Sequence, residues 1–297
     1  MKAHDHLQLT RKALEIFNEY SQDSFASSLL HCRAAVEKGA AKEDYWPIPT
    51  RITNWHFFKQ NKYLCPATIY YAKFLPLRVT PTSEKILMRR VQELLQIFEK
   101  DIPRRCGHAI GRVLHHVQDM SSPPHVVPVY HGPLLKDSFE EYSCRHIGAE
   151  LQSLRISRDE FASLLSENTV DILMIYRNAA DRALRYLYNE PASRFIVRDG
   201  NEDLVMGWEM FWRRYGDGPE GCWRPPHKAI SGFGCYGPLG GQFGDSTVKL
   251  SGRLCLIDPA VYKKLHRWVL REQVLDSLRT LLALSSSCRL LHICTDQ

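Results

Sequence analysis

Apolar residues recur at helical spacing through most of the chain. In the first segment Leu9, Ala13, Ile16 and Phe17 follow one another every three or four positions, which predicts an amphipathic helix over residues 6 to about 20. The same periodicity predicts helices over residues 24 to about 39, 83 to about 100 and 158–190. It also predicts one helix that leads into residues 115–119 and another that begins at residue 137. The pattern is therefore typical of a mainly α-helical protein.

The pattern changes near Arg194 and changes back near Pro259. The intervening segment contains SGFGCYGPLGGQFGDSTVKLSG, whose glycines indicate turns and short strands. A final amphipathic helix is predicted from Pro259 to about residue 285. We therefore expect a single domain over 1–297, with a helical core over about 1–190, a turn-rich insertion over about 194–257 and a closing helix over about 259–285.

Composition narrows the class of protein only modestly. The 297 residues are 44% hydrophobic and 24% charged, and the formal net charge is +6, values typical of a soluble globular chain. No apolar run approaches the roughly 20 residues that span a bilayer, so no transmembrane segment is expected. The amino-terminal residues lack an apolar signal core, which predicts a cytoplasmic protein or export without a standard signal peptide.

Cysteine usage argues against a disulfide framework. The chain has nine cysteines, an odd number, and no CxxC pair. We therefore expect reduced, mostly buried thiols and no cysteine-ligated zinc.

The segment LHHVQDMSSPPH carries the most informative side chains. His115 and Asp119 are four residues apart and share one face of a helix. The two prolines that follow end the helix and turn the chain, so that His125 returns toward the same region. Imidazole and carboxylate ligands of this kind suit zinc. Gly111, one turn before His115, leaves room for another segment to approach closely.

Further candidate ligands lie on both sides of this segment. His6 begins an otherwise apolar helix face, and a histidine that points inward needs a partner. Asp44 and His56 lie in a stretch rich in aromatic residues. After His125 come His131 and the run KDSFEEY, which contains three acids: Asp137, Glu140 and Glu141.

In the kind and order of these residues the chain resembles the superfamily of zinc-dependent phospholipases C and single-strand-specific nucleases. The resembling motifs are DHLQLTRKALEIF, EDYW, NWHFF, HHVQDMSSPPH and SFEEY, which together cover about residues 4–145. The resemblance implies a multi-helix fold of the zinc phospholipase C type, with two to three Zn²⁺ ions per chain.

The resemblance also implies which residues bind zinc. One ion is assigned to Asp44, His56, His115 and Asp119. His6 is assigned to a second ion that Asp119 bridges to the first, and His125 and Glu140 are assigned to a third.

Two positions depart from the family pattern. The family has a histidine four residues before its glutamate, and Lys136 stands there. Asp137 is therefore taken as the additional ligand, with His131 as an alternative to it and Glu141 as an alternative to Glu140. The family also uses the amine of an amino-terminal tryptophan. No tryptophan precedes His6 in this chain. His4 or the amine of a trimmed amino terminus is therefore the candidate for this zinc ligand.

The implied activity is zinc-dependent hydrolysis of a phosphodiester. Zinc lowers the pKa of a bound water, so hydroxide is available to attack phosphorus, with Asp119 bridging two ions and Asp44 orienting the water or taking its proton. The expected reaction is that of a phospholipase C, which releases diacylglycerol and a phosphorylated head group. Its partner is a phospholipid, and peripheral contact with a membrane is compatible with it.

Two alternatives stay open. A single-strand nuclease would use the same metal cluster and would bind nucleic acid, with aromatic residues near His56 stacking on a base. The second alternative is a non-catalytic, zinc-stabilised binding protein. Lys136 stands where a metal ligand is expected, as in a site that has lost its third metal ion. Outside the cluster, His266 has no acid at ligand spacing, and we expect no catalytic role for it.

Overall fold

The computed structural model describes most of the chain. The described residues are 2–21, 23–44, 56–58, 67–71, 75–79, 83–98, 103–129, 131, 136–167, 171–214, 223–224, 227–228 and 234–295.

The protein is mainly α-helical, as the periodicity predicts. The helices in chain order are α1 (Ala3–Tyr20), α2 (Ser24–His31), α3 (Arg33–Lys42), α4 (Ser83–Phe98), α5 (Pro103–Asp119), α6 (Pro123–Val126), α7 (Ser138–Ser153), α8 (Arg158–Ser166), α9 (Ile172–Tyr188) and α10 (Pro259–Thr295). Short 3₁₀ turns cover Pro191–Ser193 and Trp208–Met210.

Strands occur mostly in the glycine-rich insertion, where they are expected. In chain order they are β1 (Ala67–Tyr71), β2 (Leu75–Val79), β3 (Arg194–Asp199), β4 (Glu202–Gly207), β5 (Trp212–Arg213), β6 (Trp223–Arg224), β7 (His227–Lys228), β8 (Cys235–Tyr236), β9 (Thr247–Leu250) and β10 (Arg253–Ile257). Four of them form an antiparallel sheet in the order β4-β3-β10-β9, and the others pair as β1–β2, β5–β8 and β6–β7. The hairpin β1–β2 is not anticipated by the helical pattern.

Two predicted helices are each divided in the structure. The segment 24–39 is interrupted at Cys32, whose backbone leaves helical geometry between α2 and α3. The segment 158–190 is divided because Asp171 caps a new helix, its side chain accepting a hydrogen bond from the Leu173 amide at 2.8 Å. Residues 168–170 lie outside the described part. The closing helix α10 extends beyond its predicted end, to Thr295.

The main core forms where α1, α5, α9 and α10 pack together. Each of these helices contributes fully buried apolar side chains, among them Leu9, Val113, Ala180 and Leu278. The inner side of the four-stranded sheet joins this core through Val197 and its neighbours. The helix α5, which carries the candidate ligands, is therefore surrounded by packed helices that fix its position.

The cysteines whose side chains are described agree with the expectation only in part, because most are reduced but only Cys255 is buried. Cys32, Cys106, Cys144 and Cys255 are free thiols. Cys235 is disulfide-bonded, so the expectation of reduced thiols is wrong for this residue.

The helices of the described residues include none that is both long and apolar enough to cross a membrane.

Candidate metal centre

The end of α5 and the short helix α6 bring three predicted ligands together. His115 Nε2 lies 3.3 Å from Asp119 Oδ2 on the same helix face, and both side chains are fully buried. After Asp119 the chain turns through Ser122 into α6, and His125 Nε2 returns to 3.7 Å from Asp119 Oδ1. The i, i+4 spacing and the proline turn therefore give the convergence that the sequence predicts.

Two glycines allow α3 to approach α5 closely enough to contact this site. A Cβ atom at Gly111 would lie 2.0 Å from the carbonyl oxygen of Val36, and one at Gly39 would lie 2.1 Å from that of His108. Because neither Cβ exists, the backbones come together and the carbonyl oxygen of Ala40 reaches 2.7 Å from His115 Nδ1. The close approach anticipated at Gly111 is thus made by α3.

Three groups of side chains have ligand atoms within 4.8 Å of one another. They are His6, Asp44 and His115; His56, His115 and Asp119; and His125, His131 and Glu140. Seven of the eight predicted metal ligands belong to these groups. The eighth, Asp137, does not.

The first two groups share His115 and converge on the same two acids. His6 Nε2 lies 3.3 Å from Asp119 Oδ1 and 3.8 Å from Asp44 Oδ2. His56 Nδ1 lies 2.9 Å from Asp119 Oδ2 and 2.7 Å from His115 Nε2. Two ring nitrogens this close cannot both keep lone pairs there without a proton or a cation.

The two oxygens of Asp119 face different histidines. Its Oδ1 is turned toward His6 and His125, and its Oδ2 toward His56 and His115. A carboxylate in this position has the arrangement required to bridge two cations.

In the third group His131, and not Asp137, accompanies His125 and Glu140. His131 Nε2 lies 3.2 Å and His125 Nε2 3.3 Å from Glu140 Oε1. Asp137 instead caps α7, accepting a hydrogen bond from the Glu140 amide at 3.0 Å, and its other oxygen accepts one from the Tyr236 hydroxyl at 2.8 Å.

The remaining alternatives point away from the groups. Lys136 is 76% exposed and pairs with Glu141 at 3.4 Å, and Glu141 also pairs with Lys2 at 3.7 Å. His4 is exposed and hydrogen-bonded to Gln8. None of these side chains enters the three groups.

Four histidines of the three groups are held in one tautomer. In each of them Nδ1 lies 2.7–3.0 Å from a carbonyl oxygen, which only accepts hydrogen bonds, so Nδ1 carries the proton and Nε2 presents a lone pair when the ring is neutral. The four pairs are His6 with the side chain of Gln118, His115 with Ala40, His125 with His56, and His131 with Val129. This pattern is typical of metal-binding histidines.

Gln118 is itself fixed, although the sequence gives no direct sign of its role. Its Nε2 donates to the hydroxyls of Thr10 and Ser277, both at 3.1 Å. Its oxygen is thereby turned toward His6. The α5 helix thus orients His6 through Gln118 and also supplies His115 and Asp119.

Glu43, which the sequence does not single out, anchors the residue before Asp44. Its buried carboxylate accepts two hydrogen bonds from Arg90, at 2.9 and 3.2 Å, and pairs with Arg112. Burial alone would raise the pKa of Glu43, but His116, Arg112 and Arg90 together lower it. These ion pairs tie the end of α3 to α4 and α5.

Several buried polar atoms at the centre have no hydrogen-bond partner among the described residues. They include His6 Nε2, Asp44 Oδ2 and Asp119 Oδ1. Unpaired polar atoms in a protein interior are costly. His6 Nε2 lies 3.3 Å from Asp119 Oδ1 and 3.8 Å from Asp44 Oδ2, so cations bound beside His6 would give these atoms partners.

The electrostatics of the centre also favour a cation. Burial opposes ionisation of Asp119, but the surrounding histidines, His125 and His115 foremost, hold its pKa well below the usual value. In His125 burial is the dominant cause, and it lowers the pKa to about 4 although Asp119 opposes this. In His115 burial is outweighed by Asp119 and Asp44, which raise its pKa to about 9. The negative charges of Asp119 and Asp44 thus hold a positive charge on His115 when no metal is bound. A metal ion would supply that positive charge instead.

Comparison of the chain with protein-family models, with curated proteins and with solved structures returned no match.

Proposed function

We propose that this protein is a zinc-dependent phosphodiester hydrolase of the phospholipase C type. The observation that carries the proposal is the convergence of tautomer-fixed imidazole nitrogens on buried carboxylates in three adjoining groups. Nitrogen and oxygen donors of this kind fit Zn²⁺. The residues that would hold it are His6, Asp44, His56, His115, Asp119, His125, His131 and Glu140.

When bound, zinc supplies a nucleophile at neutral pH by lowering the pKa of water, and it offsets the charge on phosphate oxygens. The chain's own residues prepare this chemistry. Asp119 links the groups because its two oxygens face opposite histidine pairs. His115 and His6 lower the pKa of Asp44 although burial opposes this, so Asp44 is a carboxylate at neutral pH and accepts a hydrogen bond from an incoming water.

Asp44, His56, His131 and Glu140 have 10–13% of their side chains exposed, whereas His6, His115 and Asp119 are fully buried. We infer that a phosphodiester approaches past the four partly exposed residues. The buried residues behind them exclude water and keep the carboxylates in an environment where charge interactions are strong.

The site favours a phospholipase C over the alternatives on two grounds. Phe57 and Phe58 are buried, and Phe57 packs against His125 and His131, so neither ring is free to stack on a base. Trp46 and Trp55 lie outside the described residues. The case for a decayed, non-catalytic site rested on Lys136, and His131 supplies the third group without it.

The test is a comparison of products. The protein, purified with zinc, is incubated with phosphatidylcholine in mixed micelles and, separately, with single-stranded DNA and RNA. Release of diacylglycerol and phosphocholine supports the proposal. Release of mononucleotides without diacylglycerol would assign the site to a nuclease, and no hydrolysis of either substrate by zinc-loaded protein would refute a catalytic role.

A further inference from the structure

The outer face of the four-stranded sheet exposes aliphatic side chains where an antiparallel sheet normally carries polar ones. Ile196, Val205, Leu254 and Leu256 are 50%, 69%, 73% and 53% exposed. They are the most exposed group of large apolar side chains among the described residues that lies on a single surface. The alternate residues of the same strands, including Val197 and Ile257, are buried in the core.

The strand register makes these four residues contiguous. Ile196 pairs directly with Val205 across β3 and β4. Leu256 pairs with Arg198, the residue two positions from Ile196 on the same face, so Leu256 is a diagonal neighbour of Ile196. Leu254 follows two positions along β10. The four side chains form one aliphatic stripe across three strands.

Basic residues stand beside this aliphatic stripe. Arg194, Arg198 and Lys249 share the outer face by alternation along β3 and β9. Two acids are also present, and each pairs with an arginine: Glu209 with Arg194 at 3.5 Å and Asp203 with Arg198 at 3.1 Å. The face therefore has a formal excess of one positive charge, on a chain whose net charge is +6.

The area of the face argues against a second copy of the chain as its occupant. The four strands have four to six residues each, so at about 3.3 Å per residue and about 4.8 Å per strand the face measures at most roughly 20 Å by 19 Å. That is roughly 400 Å², about half of the 800 Å² that each partner buries in a stable complex. A bilayer requires no such area, since exposed aliphatic side chains enter it individually while arginine and lysine reach the head groups.

We propose that this outer face docks the protein on an anionic phospholipid bilayer. The aliphatic stripe enters the boundary between head groups and acyl chains, and Arg194, Arg198 and Lys249 contact lipid phosphates. This inference rests on the proposed function, because a phospholipase C must reach a substrate that is part of a membrane.

The test measures vesicle binding and catalysis separately. Wild-type protein and the double variant Val205→Asp/Leu254→Asp are sedimented on ice with sucrose-loaded vesicles of phosphatidylglycerol and phosphatidylcholine, or of phosphatidylcholine alone. A soluble phosphocholine diester serves as the catalytic substrate. A second double variant, Val205→Thr/Leu254→Thr, keeps strand propensity, and Leu165→Asp alters a leucine of α8 that is 54% exposed.

We expect both double variants to lower the partition coefficient on anionic vesicles at least tenfold while hydrolysis of the soluble diester stays unchanged, and Leu165→Asp to bind as wild type does. Weaker wild-type binding to phosphatidylcholine alone would support the basic contribution. Wild-type protein that ignores vesicles, or double variants that bind them normally, would overturn the proposal. A wild-type dimer in sedimentation velocity that the double variants abolish would assign the face to a second copy. Vesicle binding without any hydrolysis would instead refute the proposed function and leave the docking surface standing.

Discussion

Replacing Gly111 by alanine tests how the helical packing positions the metal centre. The added Cβ would lie 2.0 Å from the Val36 carbonyl oxygen and 2.5 Å from the Ala40 amide nitrogen, whereas ordinary contact begins at 3.4 Å. The helix α3 would have to move by about 1.4 Å, the difference between 3.4 and 2.0 Å. A shift of that size would break the hydrogen bond from His115 to the Ala40 carbonyl, now 2.7 Å long.

The expected magnitude follows from three contributions. Alanine gains up to about 1 kcal/mol in helix propensity. Overpacking against rigid backbone costs about 1–3 kcal/mol, and loss of the buried hydrogen bond costs about 1 kcal/mol. The net loss is about 2 kcal/mol, which corresponds to a fall in Tm of roughly 5 °C for a chain of this size.

The assay is thermal unfolding of zinc-free protein followed by circular dichroism, with Gly148→Ala as a matched control. A Cβ at Gly148, inside α7, meets only the end of the Gln8 side chain at 3.4 Å. That substitution should leave the Tm unchanged or raise it slightly. Equal Tm values for the two variants would refute the close approach of α3 and α5.

Three further predictions follow from particular side chains. His131→Ala should lower zinc content by about one ion per chain, whereas Asp137→Ala should lose the cap of α7, about 1 kcal/mol of stability, and keep its zinc; metal analysis and denaturant unfolding distinguish the two. Burial lowers the pKa of His266 to about 4, so the unfolded state binds the proton more readily between pH 6.5 and 4. Stability should fall by about 3 kcal/mol as the pH decreases through that window, and His266→Gln should remove this part of the pH dependence in urea titrations at several pH values. Removal of zinc by a chelator should lower the Tm and re-addition should restore it, because the buried carboxylates of the centre then lose their cation; a Tm indifferent to zinc would contradict the assignment.

Short-range spacing in the sequence predicts the centre best. The interval between His115 and Asp119 places both side chains on one helix face, and the proline pair explains how His125 returns to them. These relations involve neighbouring residues whose geometry is set by the helix and by proline itself. The same is true of Gly111, whose missing Cβ anticipates a close neighbour without identifying it.

Ligands brought together by long-range packing are harder to predict. Asp137 and His131 both lie near Glu140 in the sequence, and the choice between them depends on how the chain between residues 131 and 137 is placed. One local signal does separate them. Asp137 followed three residues later by Glu140 is the pattern of a helix amino terminus, where an aspartate caps the helix and is not free to bind metal.

Other departures from prediction have similar causes. The first strand of the hairpin β1–β2, ATIYY, is rich in β-branched and aromatic residues, which favour strands, whereas the second, LPLRV, contains only one such residue, Val79. The break before α9 is marked by the capping residue Asp171. The bond at Cys235 depends on which cysteines the fold brings together, and spacing along the chain does not reveal that.

The central claim is tested most directly by the zinc content of the purified protein and of Asp119→Ala, measured by elemental analysis. Because the two oxygens of Asp119 face histidines of different groups, we predict two to three zinc ions per wild-type chain and a clear loss in the variant, with hydrolysis of a soluble phosphodiester lost in the same samples. Wild-type protein without zinc, or a variant that retains the wild-type zinc content, would contradict the metal centre.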